Sequence, residues 1–154
     1  MRSRSLPAER YRSRRFEDIS PGADLPTLRM PLPYRRVIQM AAATRDYFPG
    51  HHEPSYAQAQ GVENIYLNTM FYHGLLDRYV LEWSGPAAFL QRRRMHMKVP
   101  IVAGDTAVLD GCVLSTDIAD GEGQVEVQVE VKNGAGVVCC PATLWLLLPL
   151  TTVP

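Results

Sequence analysis

Cysteine is scarce in this 154-residue chain, which has only Cys112, Cys139 and Cys140. An odd number argues against a disulfide framework, and two adjacent cysteines on a strand should project to opposite faces; both points suit a reducing cytoplasm. Neither a Cys-x-x-Cys nor a His-x-x-x-His spacing occurs, so no metal site is expected. Long hydrophobic runs are also missing. The longest, residues 144–148, is far too short to cross a bilayer. Net charge is absent as well, since sixteen Lys and Arg balance sixteen Asp and Glu, which removes any chain-wide attraction for nucleic acid. No apolar stretch follows the basic N-terminal residues, as a secretory signal would require.

What is present is the composition of a globular domain, 46% hydrophobic and 21% charged, in a chain long enough to bury one sizeable core. Arg2, Arg4, Arg10, Arg12, Arg14 and Arg15 crowd the start, with Ser3, Ser5 and Pro7 among them. Residues 1–15 therefore read as a flexible basic tail, and residues 16–154 as a single domain.

Within that domain, residues 16–22 read as an opening strand closed by a Pro-Gly turn, and residues 27–32 as a short strand. Pro33 introduces a helix over residues 34–44, where Val37, Met40, Ala41 and Thr44 fall at helical spacing. Pro49 forces residues 46–52 into a loop, and Pro54 can open a short helix that Gly61 ends. The helix over residues 68–83 has Asn68 as N-cap and is apolar over so wide an arc that it must be buried, most simply by a curved sheet. The sheet comes from residues 90–99, 106–116, 124–132 and 137–148. These are separated by the glycine-rich turns at 120–123 and 133–136. The fold class is α+β.

The chemistry concentrates in Asp46-Tyr47-Phe48-Pro49-Gly50-His51-His52, upstream of the buried helix. A carboxylate and an imidazole five residues apart, bracketing a proline turn, can point into one pocket and move protons near neutral pH. Adding water to a carbon–carbon double bond, or removing it, needs both acts. The spacing selects His51, with His52 beside it as the alternative.

This pattern resembles the signature of the MaoC-like, (R)-specific enoyl-CoA hydratases. Asp46, Pro49, His51 and Ala57 fall on the matching positions, and the likeness continues through Gly61, Asn68 and the turn at Pro100, Gly104, Asp105 and Thr106. Three positions depart from it: Arg45 stands where the motif has Gly, Phe48 where it has Asn, and Gly50 where it has an aliphatic residue. The resemblance implies a hotdog fold, an antiparallel sheet wrapped around a long central helix. It also implies a catalytic Asp46–His51 pair and no cofactor, coenzyme A being part of the substrate. Asn68 and Thr69 stand where the family usually has His-Gly, so backbone N–H groups at this helix start are the expected oxyanion site for the thioester.

Residues 61–69 and 79–83 look most like the small catalytic subunits of bacterial steroid side-chain degradation. Those subunits pair with a second MaoC-like chain, often fused to a zinc- and OB-fold-containing module, so a dimer or heterotetramer is expected, with neither nucleic acid nor membrane as partner. Phe48, Tyr47, Tyr66, Phe71 and Tyr72 are candidates for an aromatic substrate wall. Arg92, Arg94 and Lys98 share one face of a strand, either as a solvated outer surface or as a handle for the coenzyme A phosphates. Two other functions remain open at this point: a hotdog acyl-CoA thioesterase and a non-catalytic hotdog scaffold.

Overall fold

The computed structural model describes residues 12–151. Strand β1 (Asp24–Pro31) leads into helix α1 (Tyr34–Ala43), the short helix α2 (Pro54–Ala59) and the long helix α3 (Thr69–Ser84). Strands β2 (Phe89–Met95), β3 (Thr106–Ala119), β4 (Glu122–Lys132) and β5 (Val138–Leu148) follow. All pairings are antiparallel, in the order β1-β3-β4-β5-β2. One face of this sheet closes on α3. Phe71, Leu75, Leu76, Tyr79 and Val80 of the helix share a single core with Val125, Val127, Val129 and Val131 of β4 and Leu144 and Leu146 of β5. The strict alternation along β4 buries every second side chain, and a fully buried Val contributes roughly 1.5–3 kcal/mol. This is the expected hotdog arrangement.

β3 and β4 meet in a two-residue turn, because Asp120 and Gly121 both take positive φ (55° and 79°), the pairing that matches the twist of a hairpin. β3 accordingly runs three residues further than its composition suggests.

Three expectations are corrected. Residues 16–22 do not form a strand: Phe16–Asp18 is a 3-10 turn, followed by a turn in which the Ala23 N–H donates to the Ser20 carbonyl at 3.1 Å. The helical turn puts Phe16 and Ile19, three residues apart, on the same side against the core, whereas an extended chain would have separated them. β2 stops at Met95 instead of reaching residue 99. The His96 N–H donates to the Pro141 carbonyl at 3.0 Å and the Lys98 N–H to the Cys139 carbonyl at 2.8 Å, but Pro141 has no N–H to return, so regular two-way pairing ends there. Finally, Cys139 and Cys140 do not point to opposite faces in the way a regular strand requires; both are buried. The register shifts between Val131 and Lys132, and this irregularity lets both side chains turn inward. Burial raises both thiols above their ordinary range, Cys140 to about 11, so they are inert apolar filler at neutral pH.

Most of the expected basic tail lies outside the described residues, and its last residues are packed down. The Arg14 N–H donates to the Ser84 carbonyl at 2.8 Å, the Arg14 guanidinium lies 5.3 Å from the Trp83 ring centre, and Ser13 Oγ accepts from the Ala87 N–H at 2.7 Å. These contacts close the C-terminal end of α3.

Candidate active site

Asp46 is delivered by the way α1 ends. Thr44 is its C-cap, Arg45 takes φ +55°, the Arg45 N–H donates to the Ala42 carbonyl at 3.1 Å and the Asp46 N–H to the Ala41 carbonyl at 2.9 Å. This double bond pattern is the Schellman stop, which wants a left-handed residue just past the cap, most often Gly. The chain then extends through Tyr47 and Phe48 into a second 3-10 turn, Pro49–His51, with proline at its first position. Gly50 and His51 are both buried in this turn.

The turn is stitched to the strand-like segment around Tyr66 in both directions. The Tyr66 N–H donates to the Gly50 carbonyl at 3.1 Å, and His51 Nδ1 lies 2.8 Å from the Tyr66 carbonyl. A carbonyl can only accept, so Nδ1 carries the proton, and in the neutral ring Nε2 presents its lone pair. Nε2 faces Asp46 Oδ2 at 3.4 Å. With the ring neutral and the carboxylate ionised, Nε2 and Oδ2 are two acceptors that one donor placed between them can join. His51 is only 7% exposed, while the Asp46 side chain is about one-third open to solvent (32%). Asp46 and His51, paired in the sequence reading, are therefore brought side by side. His52 is exposed and does not join it.

The position of Gly50 explains one departure from the signature. A Cβ there would lie 2.6 Å from the Tyr66 phenol oxygen and 2.8 Å from Phe48 Cε1, so these two aromatics occupy the volume of the aliphatic residue. Their rings pack edge-on against His51, with centroids 5.4 Å (Phe48) and 5.1 Å (Tyr66) away. Ala57 is completely buried under the turn, which accounts for the small residue there.

Next to the pair is a cleft of about 300 Å³ whose lining includes His51, Tyr66, Thr69, Tyr72, Met97 and Lys98. Thr69 opens α3, and the unpartnered N–H groups of its first turn are available here. Asn68 caps that helix: its Oδ1 accepts from the Phe71 N–H at 2.9 Å, leaving the N–H groups of Thr69 and Met70 at the helix start. Burial raises the phenols of Tyr66 and Tyr72, so both are neutral groups at physiological pH.

The other expected site residues scatter. Tyr66 and Tyr72 line the cleft, but Tyr47 is 70% exposed, and Phe71 lies on the other side of α3, in a groove with Met30, Met40 and Leu75. Phe48 shields His51 at its edge. Of the basic trio, Lys98 lines the cleft; Arg92 stacks on Trp145 at 4.6 Å and Arg94 is exposed beside Thr143, both on the sheet face turned away from α3. Sequence reasoning missed Met97, Val99 and Pro100, which line the cleft because β2 ends early. Among the described residues no three His, Cys, Asp or Glu side chains come together as a metal site, and no helix is long and apolar enough to cross a membrane.

No family model matches the chain. Among solved structures, a MaoC-like dehydratase from Rhodospirillum rubrum superposes with a TM-score of 0.78 at 15% identity, over 88% of this chain and 97% of that one, a likeness of fold alone. A chain of the ChsH1-ChsH2 complex from Mycobacterium tuberculosis superposes with a TM-score of 0.77 at 33% identity, over 84% of this chain and 98% of that one. The 3-oxo-4,17-pregnadiene-20-carboxyl-CoA hydratase beta subunit of Mycobacterium tuberculosis is 34% identical over 115 residues, 75% of this chain and 86% of the relative. The chain belongs to the MaoC-like enoyl-CoA hydratase family. As a family member it keeps the Asp46–His51 spacing of the signature and departs from it where aromatic side chains replace aliphatic and amide ones around the imidazole.

Proposed function

We propose that the chain hydrates a 2-enoyl-CoA thioester, with Asp46 and His51 moving the protons. The observation that carries this reading is the placement of the His51 ring, with Nδ1 2.8 Å from the Tyr66 carbonyl and Nε2 facing Asp46. With Nδ1–H committed to the Tyr66 carbonyl, Nε2 and the Asp46 carboxylate are two acceptors 3.4 Å apart. A substrate water donates one O–H to each, which leaves its lone pair aimed outward. As the C–O bond forms at the β-carbon, charge moves to the thioester oxygen, which rests on the N–H groups of Thr69 and Met70 at the positive end of α3. One water proton passes to the pair, and the pair returns a proton to the α-carbon from the same side, so addition is syn. Each proton-transfer role is worth roughly 10²–10⁴-fold and an oxyanion contact about 10²–10³-fold.

For the acyl group we propose a steroid side chain, the substrate class in the name of the Mycobacterium tuberculosis relative. The aromatic and aliphatic lining of Tyr66, Tyr72, Met97 and Val99 supports a flat, apolar group. At about 300 Å³ the cleft is at the low end for ligand pockets, so a steroid thioester needs walls from a second chain. The proposed partner is another MaoC-like subunit, as in the heteromeric complex the fold matches. β2 is a free sheet edge, and Phe89 on it is 63% exposed, with Met97 and Val99 exposed beyond its end. A zinc- and OB-fold module on that partner belongs to the same proposal. Lys98, at the cleft mouth, is the proposed coenzyme A contact; Arg92 and Arg94 on the outer face are not.

The test compares crotonyl-CoA with a steroid enoyl-CoA, using the chain together with its natural partner. Burying ring surface at roughly 25 cal/mol per Å² predicts a specificity constant about a hundredfold or more higher for the steroid thioester. Equal turnover of crotonyl-CoA overturns the substrate class but not the chemistry. Release of free coenzyme A, followed with a thiol reagent in the same reactions, would assign the pair to thioester hydrolysis.

A further inference from the structure

A buried amide joins the two helix ends that flank the site. The Asn68 side chain, on a residue 3% exposed, donates from Nδ2 to Thr44 Oγ1 at 2.7 Å, and its Oδ1 accepts from the Phe71 N–H at 2.9 Å. The orientation of the amide is fixed by its neighbours. The Thr44 hydroxyl gives its own proton to the Met40 carbonyl at 2.7 Å, so Oγ1 must accept from Asn68, and the end facing the Phe71 N–H must be the oxygen.

Both anchors of this bridge are ends of helices that carry the reaction. Thr44 is the C-cap of α1, two residues before Asp46, and Asn68 is the N-cap of α3, one residue before Thr69. We infer that Thr44 and Asn68 form a clamp that sets the distance between the carboxylate holding the water and the N–H groups receiving the thioester oxygen. They are positioning residues, and neither touches substrate. The water must reach the β-carbon while the thioester oxygen sits three bonds away, so Asp46 and the start of α3 must keep one spacing. The chain between them, residues 47–67, is made of turns and a six-residue helix tied across at Gly50 and His51 to Tyr66, and the Thr44–Asn68 bond adds a second tie nearer in sequence to Asp46 and Thr69. A displacement of the order of 1 Å in such a pair can cost about a hundredfold in rate. Asn68 therefore serves the oxyanion site by holding and capping its helix, with its amide already engaged.

This inference rests on the hydratase reading, and its test keeps the two apart. Thr44→Val removes the acceptor at nearly constant volume, and Thr44→Ser keeps it. With the partner present and substrate saturating, Thr44→Val is expected to lower kcat by about 10- to 100-fold with KM changed less than about threefold, and Thr44→Ser to restore kcat to within about threefold of wild type. A merely structural contact would lower the melting temperature while leaving the kcat of folded protein unchanged. That result overturns the clamp, as does a Thr44→Ser variant as slow as Thr44→Val. Inactive wild-type protein refutes the hydratase reading instead. The clamp itself is then decided by hydrogen exchange of the Asn68 side-chain amide. Slow exchange in wild type, lost in Thr44→Val, is the expected result; exchange in wild type as fast as an exposed amide overturns it.

Discussion

Replacing Arg45 by glycine should stabilise this protein, although Arg45 is exposed and glycine usually weakens a chain. Arg45 sits at φ +55° in the Schellman stop that ends α1, with its N–H donating to the Ala42 carbonyl. A left-handed conformation costs a residue with a Cβ roughly 1–2 kcal/mol, and glycine escapes that cost. Against this stands the larger unfolded-state entropy of glycine, about 0.5–1 kcal/mol. The balance favours Arg45→Gly by about 0.5–1 kcal/mol, or about 1–4 °C in melting temperature for a chain of this length. Arg45→Ala separates the backbone term from the loss of the side chain, because alanine keeps the steric cost. Denaturation of the three proteins at one fixed protein concentration, so that any oligomer contributes equally, gives the answer. Arg45→Gly should unfold above wild type, and Arg45→Ala should not. A glycine variant less stable than the alanine variant would refute the account of how Asp46 is positioned.

Gly50→Ala should destabilise by about 1–3 kcal/mol and slow turnover, because its Cβ would press on the Tyr66 phenol and the Phe48 ring that flank His51. Chemical denaturation and initial rates on the same preparation check both effects. Elsewhere on α3, His73 Nδ1 accepts from Arg93 Nε at 2.6 Å, and Arg93 also pairs with Asp77. Burial first, then the Arg93 charge, hold the His73 imidazole below its ordinary value, so the folded state prefers it neutral. The unfolded chain binds the proton more readily. The stabilisation is therefore fully present above the unfolded value, about 6.5, and is lost as pH falls from there through the lower folded value. Unfolding midpoints measured between pH 8 and 5 should show this loss in wild type and not in His73→Gln.

Much of the fold was legible because periodicity and punctuation agreed. The alternation of residues 125–131 marked β4, and Asn68 with the apolar arc behind it marked α3. What was not legible depended on long-range partners. Residues 16–19 look extended until Phe16 and Ile19 must both face the core, and β2 looks longer until Pro141, on another strand, declines its hydrogen bond. The site divides in the same way. The Asp46–His51 spacing and the helix start at Thr69 are local, so sequence found them. The Tyr66 carbonyl that sets the His51 tautomer and the Thr44–Asn68 bridge are contacts 15 and 24 residues apart, with no motif to announce them. Arg92, Arg94 and Lys98 share a face only if the strand continues, and its early end parts Lys98 from the arginines.

The central claim is that Asp46 and His51 act on one water. Its most direct test follows the loss of enoyl-thioester absorbance with wild type, Asp46→Asn and His51→Ala, each purified with the partner chain and shown to be folded. Wild type should consume the thioester, and each variant should fall by about 10²–10⁴-fold. Retention of more than about a tenth of the wild-type rate in either variant would contradict the account, since a positioned proton-transfer group contributes at least about a hundredfold.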